Sequence, residues 1–192
     1  MAEAERPRRA PIHWERCGRR RLSGHGRRPA GGGLRLVVRT DGAARGNPGP
    51  AGAGAVLVDA SRPDAHHPDA PPLAVVSERL GVATNNVAEY VALVLALARA
   101  EALGAAEVEL LLDSKLIVEQ LHGRYRVRDV KLAPLHAEAR ARLGRFGRWS
   151  AVHVPRAENR AADAQANAAL DRPATIVRPE VARRLPRSLF GE

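Results

Sequence analysis

The sequence has a single cysteine, few aromatic residues and no long apolar run. With Cys17 as its single cysteine, the chain has neither an internal disulfide framework nor a cysteine-rich zinc site. So low a cysteine content is typical of proteins in a reducing compartment. Aromatic residues make up only 3% of the 192 residues, so the core must be built from Ala, Val and Leu. No apolar stretch approaches the roughly 20 residues of a membrane helix. We therefore expect a soluble, cytoplasmic protein without a membrane partner.

Positive charge is in excess and is concentrated near the N-terminus. The chain carries 31 Lys and Arg against 21 Asp and Glu, a formal net charge of +10. Residues 1–33 contain many Arg, Gly and Pro and too little apolar surface to offset the entropy cost of ordering them. We predict a disordered Arg-rich arm over 1–33, one domain over 34–170 and a C-terminal tail over 171–192. Such an arm either binds nucleic acid through its phosphates or is a solvated tail.

The central part of the chain contains the apolar patterns of strands and helices. Alternating or continuous apolar runs predict strands at 34–40, 52–58, 73–80, 107–112 and 149–154. Apolar residues at three- and four-residue steps predict helices at 87–103, 115–121, 132–143 and 160–170. Three consecutive strands followed by helices alternating with strands predict an α/β fold. Its mixed sheet would begin as an antiparallel meander and continue through crossover units.

Four carboxylates occupy unusual places in this pattern. Asp41 and Asp113 each follow an apolar strand, and Glu89 and Asp163 lie in the first turns of helices. Each alone has a structural explanation, as a cap or as a favourable charge at a helix N-terminus. Together they would repel one another unless cations neutralised them, and hard oxygen ligands suit Mg²⁺ or Mn²⁺. Two such ions about 3.5–4 Å apart are the usual arrangement for phosphodiester hydrolysis.

Four segments of the sequence resemble type 1 ribonuclease H. They are TDGAARGNPGPAGAG (40–54), TNNVAEY (84–90), LLDSKLIVEQ (111–120) and VPRAENRAADAQAN (154–167). The resemblance covers about residues 34–170 and implies the ribonuclease H-like fold, a five-stranded mixed sheet flanked by helices. It implies metal-dependent cleavage of the RNA strand of RNA–DNA hybrids, leaving 5′-phosphate and 3′-hydroxyl ends. By position, the metal-binding carboxylates of the family fall on Asp41, Glu89, Asp113 and Asp163.

The same resemblance implies contacts with the hybrid. The backbone of Gly42 and the side chains of Asn47, Asn85 and Asn86 would face the minor groove or the backbone of the duplex. Amides suit this role, because they both donate to and accept from the 2′-hydroxyls of an A-like minor groove. Thr84 and Asn47 would also lie near a phosphate of the DNA strand.

The sequence departs from many family members at three places. The loop before Asp163 contains no histidine, and Arg156 is the candidate for its catalytic role, as in a branch of the family with Arg there. The basic helical protrusion is missing, although a shorter connection offers a basic edge to the DNA strand. Lys115 stands where some members have an amide that contacts RNA. The basic edge consists of Arg124, Arg126, Arg128 and Lys131.

These observations predict a monomeric ribonuclease H with two Mg²⁺ ions, for which Mn²⁺ can substitute. The expected partner is an RNA–DNA hybrid, with double-stranded RNA as a further candidate. Three alternatives stay open. One is a non-catalytic module that binds RNA or hybrids, and another is a nuclease of the same fold that also cuts double-stranded RNA or RNA–DNA junctions. The third is a DNA strand-transfer or junction nuclease, which the paired Asn85–Asn86 and the GNPG loop disfavour.

Overall fold

A computed structural model describes residues 15–16 and 33–172 of the chain. The strands are β1 (Glu15–Arg16), β2 (Arg35–Ala44), β3 (Gly49–Asp59), β4 (Ala74–Ala83), β5 (Glu107–Leu112) and β6 (Arg148–His153). The helices are α1 (Asn85–Ala102), α2 (Lys115–Leu121), α3 (Leu132–Leu143) and α4 (Arg160–Asp171), and a 3₁₀ turn spans Arg156–Glu158. All five predicted strands and all four predicted helices are present.

The strands form one mixed sheet in the order β1-β6-β5-β2-β3-β4. Strands β2, β3 and β4 pair antiparallel, whereas β5 pairs parallel with β2 and β6 pairs parallel with β5. This confirms the predicted meander followed by crossover units. The structure adds the two-residue strand β1, which pairs antiparallel with β6 and belongs to the segment predicted as a disordered arm. The remainder of that arm, and the predicted tail beyond residue 172, lie outside the described residues.

Strand β2 continues beyond the point at which the sequence pattern ends it. It passes Asp41 and remains paired with β3 as far as Ala44, opposite Ala51. Its parallel partner β5 stops earlier, with Leu112 beside Thr40. Asp41 therefore lies inside a strand, at the position where the parallel pairing ends.

Helix α1 covers one face of the sheet and supplies much of the core. Thr84 is its N-cap and accepts a hydrogen bond from the Val87 amide, as the side chains preferred at this position do. Tyr90 and the apolar residues around it are buried against the sheet and α3. Just after the helix, Gly104 has a φ of 73°, the left-handed conformation that favours glycine at a helix end.

The opposite face of the sheet is covered by α4 and by the β3–β4 loop (residues 60–73). A side chain at Gly54 would place its Cβ 2.2 Å from the Ala166 amide nitrogen, so α4 approaches β3 closely only because this residue is glycine. Val37 and Leu111 form a small apolar cluster with Ala65 of the loop. Within the described part of the chain, no helix is long and apolar enough to span a membrane.

Candidate active site

The end of the parallel strand pair brings Asp41 and Asp113 together. Thr40 and Leu112 are register partners, so the residue that follows each of them emerges at the same edge of the sheet. Asp41 is buried, and its Oδ1 accepts a hydrogen bond from the Gly42 amide. Carboxyl ends of parallel strands are where open α/β sheets place ligands.

Close packing of β2 on α1 brings Glu89 to the same place. A Cβ at Gly42 would lie 2.1 Å from the Glu89 amide nitrogen, so only glycine, which has no Cβ, lets the two backbones approach this closely. Glu89 is held from within its helix, since Asn85 Nδ2 donates to its Oε1 at 2.8 Å. A further hydrogen bond from the Ser114 side chain favours its charged form. Glycine at position 42 is therefore what allows the carboxylates of β2 and α1 to meet.

Helix α4 supplies the fourth carboxylate and the predicted arginine. Asp163 lies in its first turn, where Arg156 Nη2 donates to Oδ1 at 2.9 Å and Asn167 Nδ2 donates to Oδ2 at 3.1 Å. Asp163 also lies close enough to Asp41 to raise the pKa of the Asp41 carboxyl. The Arg156 side chain is 79% exposed, so it can move away from Asp163 at little cost. All five predicted catalytic residues thus lie together.

Asn159 completes the site, although its place in the sequence indicates no catalytic role. It precedes α4 as the N-cap residue, yet its side chain makes no capping bond. Instead, Asn159 is fully buried, and its Nδ2 donates to Asp113 Oδ1 at 2.7 Å and to the Thr40 carbonyl oxygen at 2.9 Å. In the sequence, the only indication was an asparagine about one helical turn before Asp163, a position at which the pattern predicts an ordinary helix N-cap.

Burial and mutual repulsion set the charge state of the carboxylates. The pKa of Asp41 rises from 3.8 to about 8, first because of burial and then because of the negative charges of Asp113 and Asp163. Burial also raises the pKa of Glu89, with Asp113 adding to this effect and the nearby Arg156 opposing it. Without cations, the cluster therefore retains a proton near neutral pH.

The donor set fits hard divalent cations once its side chains turn. Within residues 33–172, no three Asp, Glu, His or Cys side chains are already arranged to hold a metal ion. Their oxygens instead face protein donors: Asn85 for Glu89, Asn159 for Asp113, and both Arg156 and Asn167 for Asp163. Carboxylate oxygens that repel one another and retain a proton are a ligand set that Mg²⁺ or Mn²⁺ would stabilise.

The predicted minor-groove residues cluster beside the start of α1. Asn47, in the β2–β3 turn, accepts a hydrogen bond from the Asn85 amide at 3.2 Å, which links the two segments. Asn86 is exposed in the first turn of α1, and Thr84 caps that helix. The side chain of Asn85, by contrast, donates a hydrogen bond to Glu89. Whether these side chains contact nucleic acid stays a prediction.

The predicted basic edge lies on the connection between α2 and α3. Arg126, Arg128 and Lys131 are exposed there, whereas Arg124 is paired with Glu119, its Nη2 lying 2.9 Å from Oε1. Lys115 is exposed at the first position of α2, two residues after Asp113. Of these cations, Lys115 is therefore the nearest in sequence to a carboxylate of the site, whereas the basic edge lies beyond the C-terminal end of α2.

Comparison with known proteins identifies the family. A family model described as reverse transcriptase-like matches residues 39–169, which include all four carboxylates. The ribonuclease HI of Halobacterium salinarum is 45% identical over 139 residues, 72% of this chain and 66% of that protein. The chain therefore belongs to the reverse transcriptase-like family, and within that family it is a domain of the type 1 ribonuclease H group. Its first curated relatives are longer: it is 44% identical to the bifunctional protein Rv2228c of Mycobacterium tuberculosis but spans about a third (36%) of its length.

Solved ribonuclease H structures have the same fold and are 38–44% identical to this chain over the matched part. The N-terminal RNase H domain of Rv2228c superposes with a TM-score of 0.66 at 44% identity, covering 72% of this chain and 94% of that one. The RNase H1 of Halobacterium salinarum gives 0.65 at 44% identity, covering 71% and 98%. LC11-RNase H1, isolated from compost, gives 0.63 at 38% identity, covering 71% and 96%, in a complex with an RNA/DNA hybrid.

Proposed function

We propose that this chain is an endonuclease that hydrolyses the RNA strand of RNA–DNA hybrids with the help of divalent cations. The observation that carries the proposal is the meeting of four carboxylates from four separate segments, with the pKa of Asp41 raised to about 8. A protein that only bound polyanionic nucleic acid would gain nothing from clustering negative charge where the substrate lies. The relatives named ribonuclease HI and RNase H1 support this choice of substrate.

The four carboxylates would hold two Mg²⁺ ions, for which Mn²⁺ can substitute. In this assignment Asp41, Glu89 and Asp113 would together hold the pair of ions, and Asp163 would complete the ligand set from α4. When bound, the cations would supply positive charge that favours ionisation of a water and neutralises charge developing on the phosphate. The raised pKa of Asp41 supports this assignment, because a carboxyl that retains a proton near neutrality would exchange that proton for a cation.

Hydrolysis would proceed by in-line attack of a water oxygen on the phosphorus. The bond from phosphorus to the 3′-oxygen breaks, so one fragment receives a 3′-hydroxyl and the other retains a 5′-phosphate. Asn159 would keep Asp113 oriented throughout, because it is buried and bonded to both Asp113 and β2. Arg156 would leave Asp163 and donate to a phosphate oxygen, since a guanidinium that remains charged cannot act as a base.

The substrate would span the site from the start of α1 to the α2–α3 connection. Asn47, Asn85 and Asn86, with the Gly42 backbone, would read the minor groove, and Thr84 would lie near a phosphate of the DNA strand. The basic edge of Arg124, Arg126, Arg128 and Lys131 would follow the DNA strand through its phosphates. We further propose that the protein acts as a monomer in the cytoplasm.

A cleavage assay with labelled duplexes tests this function. RNA–DNA hybrid, double-stranded RNA and double-stranded DNA are each incubated with the full chain in Mg²⁺, Mn²⁺ or EDTA. We expect cutting of the RNA strand of the hybrid alone, dependent on a metal and absent in Asp41→Asn. Cutting of double-stranded RNA as well would assign the broader nuclease, with Lys115 as the first residue to examine. Tight binding of hybrid without any cutting would overturn the enzyme and leave the binding module.

The Arg-rich arm has its own test in a binding titration with the same hybrid. Removing residues 1–33 should weaken hybrid binding and flatten its dependence on salt concentration, because a chain that neutralises fewer phosphates releases fewer counterions when it binds. An unchanged salt slope would show that the arm is a solvated tail.

A further inference from the structure

The β3–β4 loop (residues 60–73) packs on the sheet directly beside the segment that carries Arg156 and Asp163. Successive short turns build the loop, and Ala65 and Ala70 are buried against the face of the sheet that α4 also covers. The loop is therefore a fixed part of the domain. Its polar contacts determine which neighbouring segments it holds in place.

A buried arginine joins the loop to the 3₁₀ turn before α4. Arg39, which is 1% exposed, lies two residues before Asp41 and on the same face of β2. Its Nη2 donates to the His66 carbonyl oxygen at 2.7 Å, and its Nε donates to the Glu158 carbonyl oxygen at 3.1 Å. One guanidinium thus holds the middle of the loop and the last residue of the Arg156–Glu158 turn.

A second contact joins the loop to the first residue of α4. The Asp69 carboxylate and the Arg160 guanidinium form a two-pronged pair, with Arg160 Nε 2.7 Å from Asp69 Oδ1. The loop is held on the sheet side by His66, whose Nε2 lies 3.0 Å from the carboxylate of the buried Glu109. The start of α4 is therefore tied to the loop, and the loop is tied to the sheet.

These ties lie close to the proposed metal ligand. Asp163 follows Arg160 by three residues, one helical turn, so a displacement of Arg160 displaces Asp163. Arg156 precedes Glu158 by two residues within the same 3₁₀ turn. Groups that orient a metal ligand typically change metal affinity by roughly 10–100-fold when removed. A group one contact further away should have a smaller effect of the same sign.

We propose that the β3–β4 loop is a brace that sets the positions of Asp163 and Arg156, with Arg39, Asp69 and Arg160 as positioning residues. The brace rests on the proposed function for its effect on cleavage and on metal affinity. Its mechanical part, that the loop restrains residues 156–163, depends only on the contacts of the folded chain.

The loop offers a matched pair of variants. Asp69→Asn removes the charge and one of the two acceptor oxygens that tie the loop to α4. Asp64→Asn does the same to a pair of the same geometry within the loop, in which Arg62 contacts Asp64 at 3.0 Å through both prongs. Both pairs are exposed, so both variants should melt within about 2 °C of wild type. Arg39 is unsuited to carry the test, because replacing a buried charged residue can unfold the protein.

Hydrogen exchange on the full chain tests the mechanical part. Without metal, peptides covering residues 154–165 should exchange about threefold faster or more in Asp69→Asn than in wild type or Asp64→Asn. Arg160→Gln and the double variant Asp69→Asn/Arg160→Gln should match Asp69→Asn, because the three remove one interaction. Equal exchange in the Asp69 and Asp64 variants would overturn the brace, whether or not the protein cleaves hybrids.

Magnesium titration tests the consequence for the site. The Mg²⁺ concentration that gives half-maximal cleavage should rise about three- to tenfold in Asp69→Asn. The rate at saturating Mg²⁺, which depends on Arg156, should fall by a smaller factor. The Kd of Mg²⁺ measured by calorimetry without substrate should rise in parallel. An unchanged Mg²⁺ dependence would overturn the link to Asp163. A wild-type chain that cleaves nothing would instead refute the proposed function, and the exchange measurement would still decide the brace.

Discussion

Asn159 Nδ2 lies 2.7 Å from Asp113 Oδ1 and 2.9 Å from the Thr40 carbonyl oxygen, so one buried amide joins the start of α4 to both parallel strands. The contact spans the three segments that carry Asp41, Asp113 and Asp163. Because Asn159 is fully buried, its geometry is fixed by packing on all sides. The relative positions of these carboxylates therefore depend on a residue that bears no charge.

Asn159→Ala should impair both the fold and the site. Loss of two buried hydrogen bonds should lower the free energy of unfolding by about 1–3 kcal/mol, because the Thr40 carbonyl is left without this donor. Cleavage at saturating Mg²⁺ and hybrid should fall by roughly tenfold or more, as when a ligand-orienting group is lost. Chemical denaturation and single-turnover cleavage measure the two effects. Full activity in a destabilised variant would restrict Asn159 to a structural role.

Asp41→Asn should abolish cleavage yet stabilise the metal-free protein at pH 8. A carboxyl whose pKa is higher in the folded state than in the unfolded chain lowers stability as pH rises between those two values, here from about 4 to about 8. The neutral amide avoids this loss, by an amount on the order of a few kcal/mol, since one pKa unit corresponds to about 1.4 kcal/mol.

Thermal melts in EDTA at pH 5 and pH 8 measure this difference. The gain of Asp41→Asn over wild type should be small at pH 5 and largest at pH 8. Comparing the two proteins at each pH cancels the titration of groups that do not interact with Asp41. A variant less stable than wild type at pH 8 would contradict the proposed burial of unneutralised charge.

Magnesium binding should release protons near neutral pH. Because Asp41 holds a proton below about pH 8, protons and Mg²⁺ compete, and the Kd of Mg²⁺ should rise by up to about tenfold per unit of falling pH. Calorimetry at pH 7 in two buffers of different ionisation enthalpy should detect the release of about one proton per site. Binding without proton release would show that Asp41 is already ionised in the metal-free protein.

Apolar periodicity was sufficient to predict the strands and helices, and their ends marked the four carboxylates as unusually placed. The helix between the predicted strands at 73–80 and 107–112 allows a crossover connection, and the structure places β5 parallel to β2 with Thr40 beside Leu112. Asp41 was predicted at a strand end because the apolar pattern stops there. In the structure, the small residues that follow it continue the pairing with β3.

Contacts between distant segments could not be predicted from local pattern. Asn159 resembles a helix cap in sequence, and only the tertiary fold turns its side chain towards Asp113. Arg39 follows the apolar run 36–38 of β2, yet the carbonyl oxygens that accept from it belong to residues 27 and 119 positions away. The β3–β4 loop likewise showed only Pro and Asp in sequence, which predict turns and give no indication of what the turns contact.

Gly42→Ala should separate β2 from α1 and thereby the two carboxylates that they carry. The added Cβ would lie 2.1 Å from the Glu89 amide nitrogen, which belongs to the packed backbone of α1, so one element must shift. Overpacking of this kind costs about 1–3 kcal/mol or more, and a shift of α1 would move Glu89 away from Asp41. We expect a lower melting temperature and at least a tenfold loss of cleavage that excess Mg²⁺ does not restore.

Gly144→Ala is the matched control, because its Cβ would meet no atom closer than 3.4 Å at the end of α3. That variant should stay within about 0.5 kcal/mol of wild type, as surface substitutions usually do, and cleave normally. If Gly42→Ala kept wild-type cleavage, the close approach of β2 and α1 would not be what assembles the site.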